Sequence, residues 1–150
     1  MEITFKIAQP SDLDILIQLI KEFCEVDNHP FDDSSIRIAL SNLLQDKSLG
    51  RVWLIQQANK TIGYIVLTFG YSLEYRGRDA FVDEFYIQES YRRQGIGTKS
   101  LQFIESVCLE LKIQALHLEV EQKNLAAQSL YRKSGFKNQE RHLMTKWIIT

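Results

Sequence analysis

The feature that most constrains this chain is an apolar strand that runs into a glycine-bearing loop, which then opens a helix. The strand Asp-Glu-Phe-Tyr-Ile occupies residues 83–87, and the loop Arg-Arg-Gln-Gly-Ile-Gly-Thr occupies residues 92–98. The first amides of a helix lack internal partners and lie at the positive end of its dipole. Glycines beside them let a ligand approach the backbone. This order of elements therefore predicts a phosphate or pyrophosphate site.

Hydrophobic periodicity predicts the other elements of the chain. Apolar alternation or continuous apolar runs indicate strands at residues 3–7, 52–55, 62–69, 80–87, 116–120 and 142–149. Three-and-four spacing indicates helices at residues 13–23, 36–44, 97–111 and 124–134, and residues 70–78 are predicted to form a loop. The strand, helix, strand order after residue 80 implies a parallel pair with a right-handed crossover. The predicted fold class is α+β with a mixed sheet.

Length and composition indicate one soluble globular domain over residues 1–150. Hydrophobic residues make up 45% of the chain and charged residues 25%, which is ordinary for such a domain. No apolar run approaches the roughly 18 residues of a membrane span, and the N-terminus lacks a signal-peptide pattern. We therefore expect no membrane association and a cytoplasmic location.

Charge and cysteine usage argue against two other classes of protein. The formal net charge is -1, without a basic stripe, so we expect no nucleic-acid partner. Cys24 and Cys108 fall on apolar faces of predicted helices, where free cysteine packs as a small hydrophobe. The three histidines are isolated in sequence, so we expect no metal site.

Two common phosphate-binding motifs do not match the glycine loop. A Walker A loop requires Gly-x-x-x-x-Gly-Lys followed by Ser or Thr, and residues 95–99 lack that spacing. A dinucleotide fingerprint requires a third glycine where Ser100 stands, and the first half of the chain does not alternate strand and helix. The sequence therefore indicates neither a P-loop nucleoside triphosphatase nor a dinucleotide-binding fold.

Two motifs give the chain a resemblance to the GNAT family of N-acetyltransferases. They are Arg92-x-x-Gly95-x-Gly97 after one strand, and Asn124-x-x-Ala127-x-x-Leu130-Tyr131-x-x-x-Gly135-Phe136 after the next. The resemblance covers nearly the whole chain. It implies a central mixed sheet flanked by about four helices, in which the fourth and fifth strands splay apart.

The resemblance also implies acetyl-CoA as co-substrate and a set of residues that bind it. Backbone amides of the glycine loop would hold the pyrophosphate, the fourth-strand backbone would pair with the pantetheine arm, and Asn124 would contact that arm or simply cap its helix. The implied cofactor-binding residues are Phe85, Tyr86, Ile87, Arg92, Arg93, Gln94, Gly95, Ile96, Gly97, Thr98, Asn124 and Tyr131.

Acetyl transfer to an amine requires a base for the amine and an acid for the departing thiolate. Tyr131 matches the tyrosine that acts as the general acid in many relatives. Glu84 is our candidate base, since amines arrive largely protonated and a carboxylate can accept the proton. Strand alternation puts Glu84 with Val82 and Tyr86, but a β-bulge would change that facing. Asp83, Glu119 and Glu121 remain alternative bases.

The resemblance places the acceptor pocket between the first two helices and the loop before the fourth strand. The acids and aromatics that we assign to it are Asp27, Asp32, Tyr71, Glu74 and Tyr75. They favour a small cationic amine, although a protein lysine or N-terminus is an open alternative. A domain that binds acyl-CoA as a sensor, without catalysis, is the rival from another class. A homodimer formed through the C-terminal strands is an expectation from the resemblance alone.

Overall fold

The structure is a computed structural model that describes residues 2–149. Within this range there are five strands: β1 (Ile3–Ile7), β2 (Gly50–Gln57), β3 (Lys60–Ser72), β4 (Gly77–Ile87) and β5 (Ala115–His117). Four α-helices accompany them: α1 (Leu13–Val26), α2 (Asp33–Gln45), α3 (Ile96–Glu110) and α4 (Leu125–Lys133). The prediction of an α+β domain with four helices is confirmed.

The strands form one mixed sheet in the order β1-β2-β3-β4-β5. The first four are antiparallel neighbours, and β5 pairs with β4 in parallel through the α3 crossover. Alternating side chains of β2 and β3 pack against α1 and α2 on one face of the sheet and against α3 on the other. Two cores therefore sandwich the sheet, and its β4–β5 side is left to form a site.

The β4–β5 pairing is short, and this opens the sheet. Only residues 79–81 of β4 pair with residues 115–117 of β5. Beyond Phe81 the two backbones separate, while β4 continues to Ile87 along β3. The splay implied by the family resemblance is therefore present, and the β5-facing edge of the second half of β4 has no strand partner among residues 2–149.

A bulge at Asp83 corrects the predicted facing of the β4 side chains. Val82 lies opposite Leu67 and Glu84 lies opposite Val66, so Asp83 is an extra residue without a counterpart. Simple alternation would put Val82 and Glu84 on the same face. Instead, Val82 packs in the core against α3, whereas Glu84 lies on the α1 side and bonds Tyr64 there.

The predicted loop at residues 70–78 is mostly strand, so that prediction was too long. Tyr71 pairs with Arg78 and Ser72 with Gly77, leaving only residues 73–76 as the turn. Arg76 and Gly77 both have positive φ values, of 64° and 146°, which reverse the chain within a few residues. Ladder hydrogen bonds therefore extend the hairpin into the predicted loop.

The predicted C-terminal strand at residues 142–149 is wrong, because none of these residues forms a strand in the structure. The strand predicted at residues 116–120 is also shorter, ending at His117. Apolar alternation identifies side chains that favour burial, but a strand also needs a neighbour for its hydrogen bonds. We call residues 143–149 the C-terminal tail. Its large apolar side chains are exposed: Leu143, Met144, Trp147, Ile148 and Ile149.

Among residues 2–149, no helix has the length and apolar character that crossing a membrane requires.

Candidate active site

A cleft of about 150 Å³ lies where β4 and the segment after β5 diverge. Its walls come from α1, β4, the segment after β5, and α4. The lining residues are Phe23, Asp27, Val82, Asp83, Glu84, Phe85, Leu118, Glu119, Val120, Glu121, Asn124, Ala127 and Tyr131. The fold thus brings Glu84 of β4 together with Asn124 and Tyr131, which belong to one sequence motif about forty residues later in the chain.

Glu84 is a half-buried carboxylate held by one strong contact. The Tyr64 hydroxyl donates to Glu84 Oε1 at 2.7 Å. Burial raises the pKa of Glu84, the Tyr64 hydrogen bond opposes that rise, and the charge of Asp83 adds to it. A glutamate with a raised pKa is a stronger proton acceptor once it is ionised, which suits a general base.

Asp83 also lines the cleft, but through the bulge rather than through regular alternation. Its side chain remains exposed, although the cleft walls desolvate the carboxyl enough to raise its pKa. Glu84 has a fixed partner, whereas Asp83 has no side-chain hydrogen bond among the described residues. Geometry therefore favours Glu84 as the better-oriented acid of the two.

Tyr131 enters the cleft from α4. Its ring packs edge-on against Phe136 with the centroids 6.0 Å apart, which fixes its direction. Its hydroxyl has no hydrogen-bond partner among residues 2–149 and is open to the cleft. Burial raises the pKa of Tyr131, and the charge of Asp27 adds to the effect. The phenol therefore stays protonated at neutral pH and is available as a donor.

The cleft is lined by carboxylates without matching cations. Five of its lining residues are acidic, namely Asp27, Asp83, Glu84, Glu119 and Glu121. No lysine or arginine is among the lining residues of the cleft in the described structure. Such a one-sided arrangement attracts a cationic ligand.

Three possible ligands for a metal ion meet beside the cleft, which the sequence spacing did not reveal. The ligand atoms of Asp27, His29 and Glu121 lie within 4.8 Å of one another. His29 Nε2 is 3.8 Å from a carboxylate oxygen of each acid. His29 and Glu121 are exposed, as acidic groups without a bound ion commonly are. The expectation of no metal stays a prediction.

The glycine loop enters α3 as predicted, but its two glycines have different roles. Gly95 is the N-cap, with φ 78° and no side-chain cap, and no atom of the described residues lies within 4 Å of where a Cβ would be. It therefore leaves open space before the helix amides. A Cβ at Gly97 would lie 2.9 Å from Leu130 Cδ2, so a side chain there would displace the end of the Leu130 side chain of α4. This contact was not predicted.

The loop's other predicted residues divide into backbone and side-chain contributions. Ile96 is buried, so it offers a ligand only its main chain, whereas the side chains of Arg93, Gln94 and Thr98 are exposed. Arg92 Nε donates to the Ile87 carbonyl at 2.8 Å, and its guanidinium lies 5.7 Å from the Tyr86 ring centroid. Arg92 thereby ties the loop to the end of β4.

The predicted β4 residues and Asn124 lie on opposite walls of the opening. The Tyr86 side chain is buried against α1, and its hydroxyl donates to Glu22 Oε1 at 3.1 Å, so only its main chain is available to a ligand. Asn124 Oδ1 accepts from the Ala127 amide at 3.0 Å as the N-cap of α4. The capping role of Asn124 is therefore observed, and its amide nitrogen remains for a ligand.

Of the five acceptor-pocket residues predicted from the sequence, only Asp27 lines the cleft. Asp32 accepts from the Ser35 hydroxyl at the start of α2. Tyr71 is 76% exposed. Glu74 is paired with Arg141 at 2.6 and 2.8 Å, and this pairing lowers the pKa of Glu74. Tyr75 packs on the His117 ring.

Two contacts near the opening of the sheet were missed by sequence reasoning. His117 Nε2 lies 3.0 Å from Asp79 Oδ2, and its ring is 4.9 Å from that of Phe81, which pairs with it across β4 and β5. The second contact is the hydrogen bond from Tyr64 to Glu84, which was missed because the sequence indicates Tyr64 only as part of an apolar strand. Its hydroxyl was the available signal, because a buried tyrosine hydroxyl needs a partner.

Comparison with known proteins identifies the family. Residues 14–136 match the model of the acetyltransferase (GNAT) family. This chain therefore belongs to the GNAT family.

Curated relatives match a shorter part of the chain than the family model does. Thialysine N-epsilon-acetyltransferase of Bos taurus is 34% identical over 74 residues, covering 49% of this chain and 43% of that protein. The chain thus spans less than half the length of that relative.

Solved structures reproduce nearly the whole fold. An integron cassette protein from the mobile metagenome of Cole Harbour Salt Marsh has a TM-score of 0.87 and 31% identity, covering 97% of this chain and 91% of that one. A predicted acetyltransferase of Clostridium acetobutylicum, solved with acetyl-CoA, has a TM-score of 0.82 and 18% identity, covering 97% and 96%. The latter likeness is one of fold.

Proposed function

We propose that this protein transfers the acetyl group of acetyl-CoA to the primary amine of a small cationic acceptor. The observation that carries the proposal is the cleft, in which Glu84 and Tyr131 face an opening in the sheet beside a glycine loop. Membership of the acetyltransferase family supports the reaction class.

The donor side of the site fits an extended, anionic co-substrate. The free edge of β4 after Phe81 offers backbone groups to the amides of a pantetheine arm, as a neighbouring strand would. At its far end, the open space at Gly95 exposes the first amides of α3 to a pyrophosphate. The exposed Arg93 side chain adds positive charge beside that position.

The chemistry needs three proton transfers, of which Glu84 and Tyr131 carry out one each and solvent accepts the third. Glu84 takes a proton from the ammonium group of the acceptor, directly or through water. The free amine nitrogen then attacks the thioester carbonyl carbon, a C–N bond forms, and the C–S bond breaks. Tyr131 donates its proton to the departing thiolate, and the proton left on the new amide nitrogen passes to solvent. The products are an N-acetylated amine and free CoA.

The acidic lining supports an acceptor that carries positive charge. Five carboxylates around one small cleft raise the local concentration of cations and disfavour anionic acceptors. The thialysine acetyltransferase relative is named for an amine acceptor, which agrees with this class. A protein lysine or N-terminus is the second acceptor class, and a non-catalytic acyl-CoA sensor is the rival function.

The experiment that tests the proposal is acetyl-CoA-dependent release of free CoA thiol in the presence of candidate amines. The panel contains polyamines, aminoglycosides, amino acids and lysine peptides, and mass spectrometry confirms the acetylated product. We expect transfer to a small cationic amine. Transfer only to peptides would move the acceptor class, and acetyl-CoA binding without transfer to any acceptor would support the sensor.

Replacing Glu84 by glutamine tests the base. We expect kcat/KM to fall about a hundredfold at neutral pH, because water or a neighbouring acid replaces the base only in part. In the wild type, activity should be lost as pH falls through the raised pKa of Glu84, since only the ionised form accepts a proton. This acidic limb should disappear in Glu84→Gln. If Asp83→Asn removes the limb instead, Asp83 is the base.

We also propose a homodimer that covers the C-terminal tail. The tail exposes Trp147 at 80% and Ile149 at 87%, which are unusual values for such large apolar side chains. The edge of β5 facing away from β4 has no strand beside it in the described structure, so a second copy could supply its hydrogen bonds. Light scattering should give twice the mass of 17.5 kDa. A monomer mass at micromolar concentration would contradict the proposal.

A further inference from the structure

We propose that Tyr64 is a positioning residue for Glu84. The hydroxyl of Tyr64 keeps the Glu84 carboxylate ionised and directed into the cleft. This inference rests on the proposed role of Glu84 as the base. Tyr64 does not line the cleft, so it acts through Glu84 and not on the substrate.

The packing around Tyr64 directs its hydroxyl to Glu84. Tyr64 is fully buried in the middle of β3, and its ring is enclosed by Phe23 and Tyr86 at centroid distances of 6.4 and 6.2 Å. Its hydroxyl lies 2.7 Å from Glu84 Oε1. Because the bulge at Asp83 turns Glu84 toward α1, the same irregularity that shapes the cleft also creates this contact. Glu84 Oε2 has no hydrogen bond among the described residues and is free to meet an amine.

The chemistry of the pair gives Tyr64 the role of donor. Burial raises the pKa of Tyr64 far above its usual value, so the phenol keeps its proton across the working pH range. A hydroxyl that donates to a carboxylate stabilises its charged form. The hydrogen bond from Tyr64 therefore lowers the pKa of Glu84 and opposes the rise that burial causes. Without it, Glu84 would hold its own proton to higher pH and be a base less often.

Other charged groups around Glu84 act on its ionisation in both directions. The charges of Asp83 and Asp27 raise the pKa of Glu84, and that of His29 lowers it. The titratable groups in this environment are Cys24 on α1, Asp27 and His29 after α1, Asp83 on β4, Glu119 and Glu121 after β5, and Tyr131 on α4. Tyr64 is the one that donates a hydrogen bond to Glu84 in the described structure.

Direct titration of Glu84 separates this proposal from the proposed base. Glutamate side chains are labelled with carbon-13 at the carboxyl, and Glu84→Gln assigns the resonance. We expect Tyr64→Phe to move the Glu84 midpoint to higher pH. Tyr86→Phe is the matched control, because it removes a hydroxyl from the same sheet face, but one that bonds Glu22. It should leave the Glu84 midpoint in place. An unmoved midpoint in Tyr64→Phe overturns the proposal, whatever the activity.

The kinetic consequence follows from the same shift. On the acidic limb, kcat/KM of Tyr64→Phe should be about tenfold lower than wild type, the usual size of a hydrogen bond to a charged group. Well above the midpoint it should return to within about threefold. A uniform loss at all pH values would show a merely structural role and overturn the proposal. If the midpoint moves while activity does not, the base role of Glu84 fails instead.

A second variant weakens the hydrogen bond between Tyr64 and Glu84 without changing a core side chain. Glu84→Asp shortens the side chain by one methylene and withdraws the carboxylate from the Tyr64 hydroxyl. Adding Tyr64→Phe to Glu84→Asp should then move the carboxyl midpoint less than it does in wild type. Equal shifts in the two backgrounds would mean that Tyr64 acts through general packing, which contradicts the proposal. Thermal melts of all variants verify that each is folded.

Discussion

Replacing Gly95 by glutamate should weaken acetyl-CoA binding at least about a hundredfold, measured by calorimetry, through lost contacts and charge repulsion. The new side chain would enter the open space before α3, where the proposed pyrophosphate meets the helix amides. Its negative charge would compete for those same amides and repel the phosphates. The backbone cost is small, about 1 kcal/mol for a non-glycine residue at a left-handed φ such as the 78° of Gly95.

Two controls make the Gly95 result specific. Gly95→Gln has nearly the same bulk and the same backbone strain but no charge, so it should bind better than Gly95→Glu, and the difference should shrink with added salt. Gly135→Glu imposes a similar strain at φ 97° in open space after α4 and measures the cost to stability alone. Unchanged affinity in folded Gly95→Glu would remove the loop from the site.

Tyr131→Phe should lower kcat by about ten- to a thousandfold while leaving acetyl-CoA affinity nearly intact. The change removes a hydroxyl that has no protein partner in the described structure and keeps the ring packed on Phe136. Little stability is therefore lost with it. Loss of rate without loss of binding is the signature of a group that acts in the transition state.

The pH profile gives an independent check on Tyr131. The raised pKa of this phenol means that the acid form persists to high pH, and activity should decline only as pH rises through it. That alkaline limb should be absent in Tyr131→Phe. Tyr91→Phe is a matched control, since Tyr91 packs against the core formed by Ile55, Ile62 and Ile96 and does not line the cleft. Wild-type turnover in folded Tyr131→Phe would exclude the acid role.

The sequence predicted the parts of the molecule whose structure is local. The glycine loop, the cap at Asn124 and the helices that follow each depend on residues only a few positions apart. The family motifs then identified how these parts assemble. Together they were sufficient to predict the mixed sheet, the splay and the candidate residues Glu84 and Tyr131.

What the sequence could not show depends on partners distant in the chain. The bulge at Asp83 exists only relative to the register of β3, so alternation along β4 could not reveal it. The close approach of Gly97 to Leu130 joins two helices separated by β5. The C-terminal tail failed for the same reason, because its apolar pattern specifies no neighbouring strand.

The brevity of the β4–β5 pairing has a consequence for how long the folded protein lasts. The parallel pairing of β4 with β5 ends after three residue pairs, so the edge of β4 beyond it lacks hydrogen bonds from a strand in the described structure. On the proposed function, the pantetheine arm of the donor would supply them. The free energy of unfolding then rises with donor concentration, by about 2.7 kcal/mol at a hundred times the dissociation constant. Abundant donor would thus both feed the reaction and protect the enzyme from unfolding, and scarcity would expose it to proteolysis.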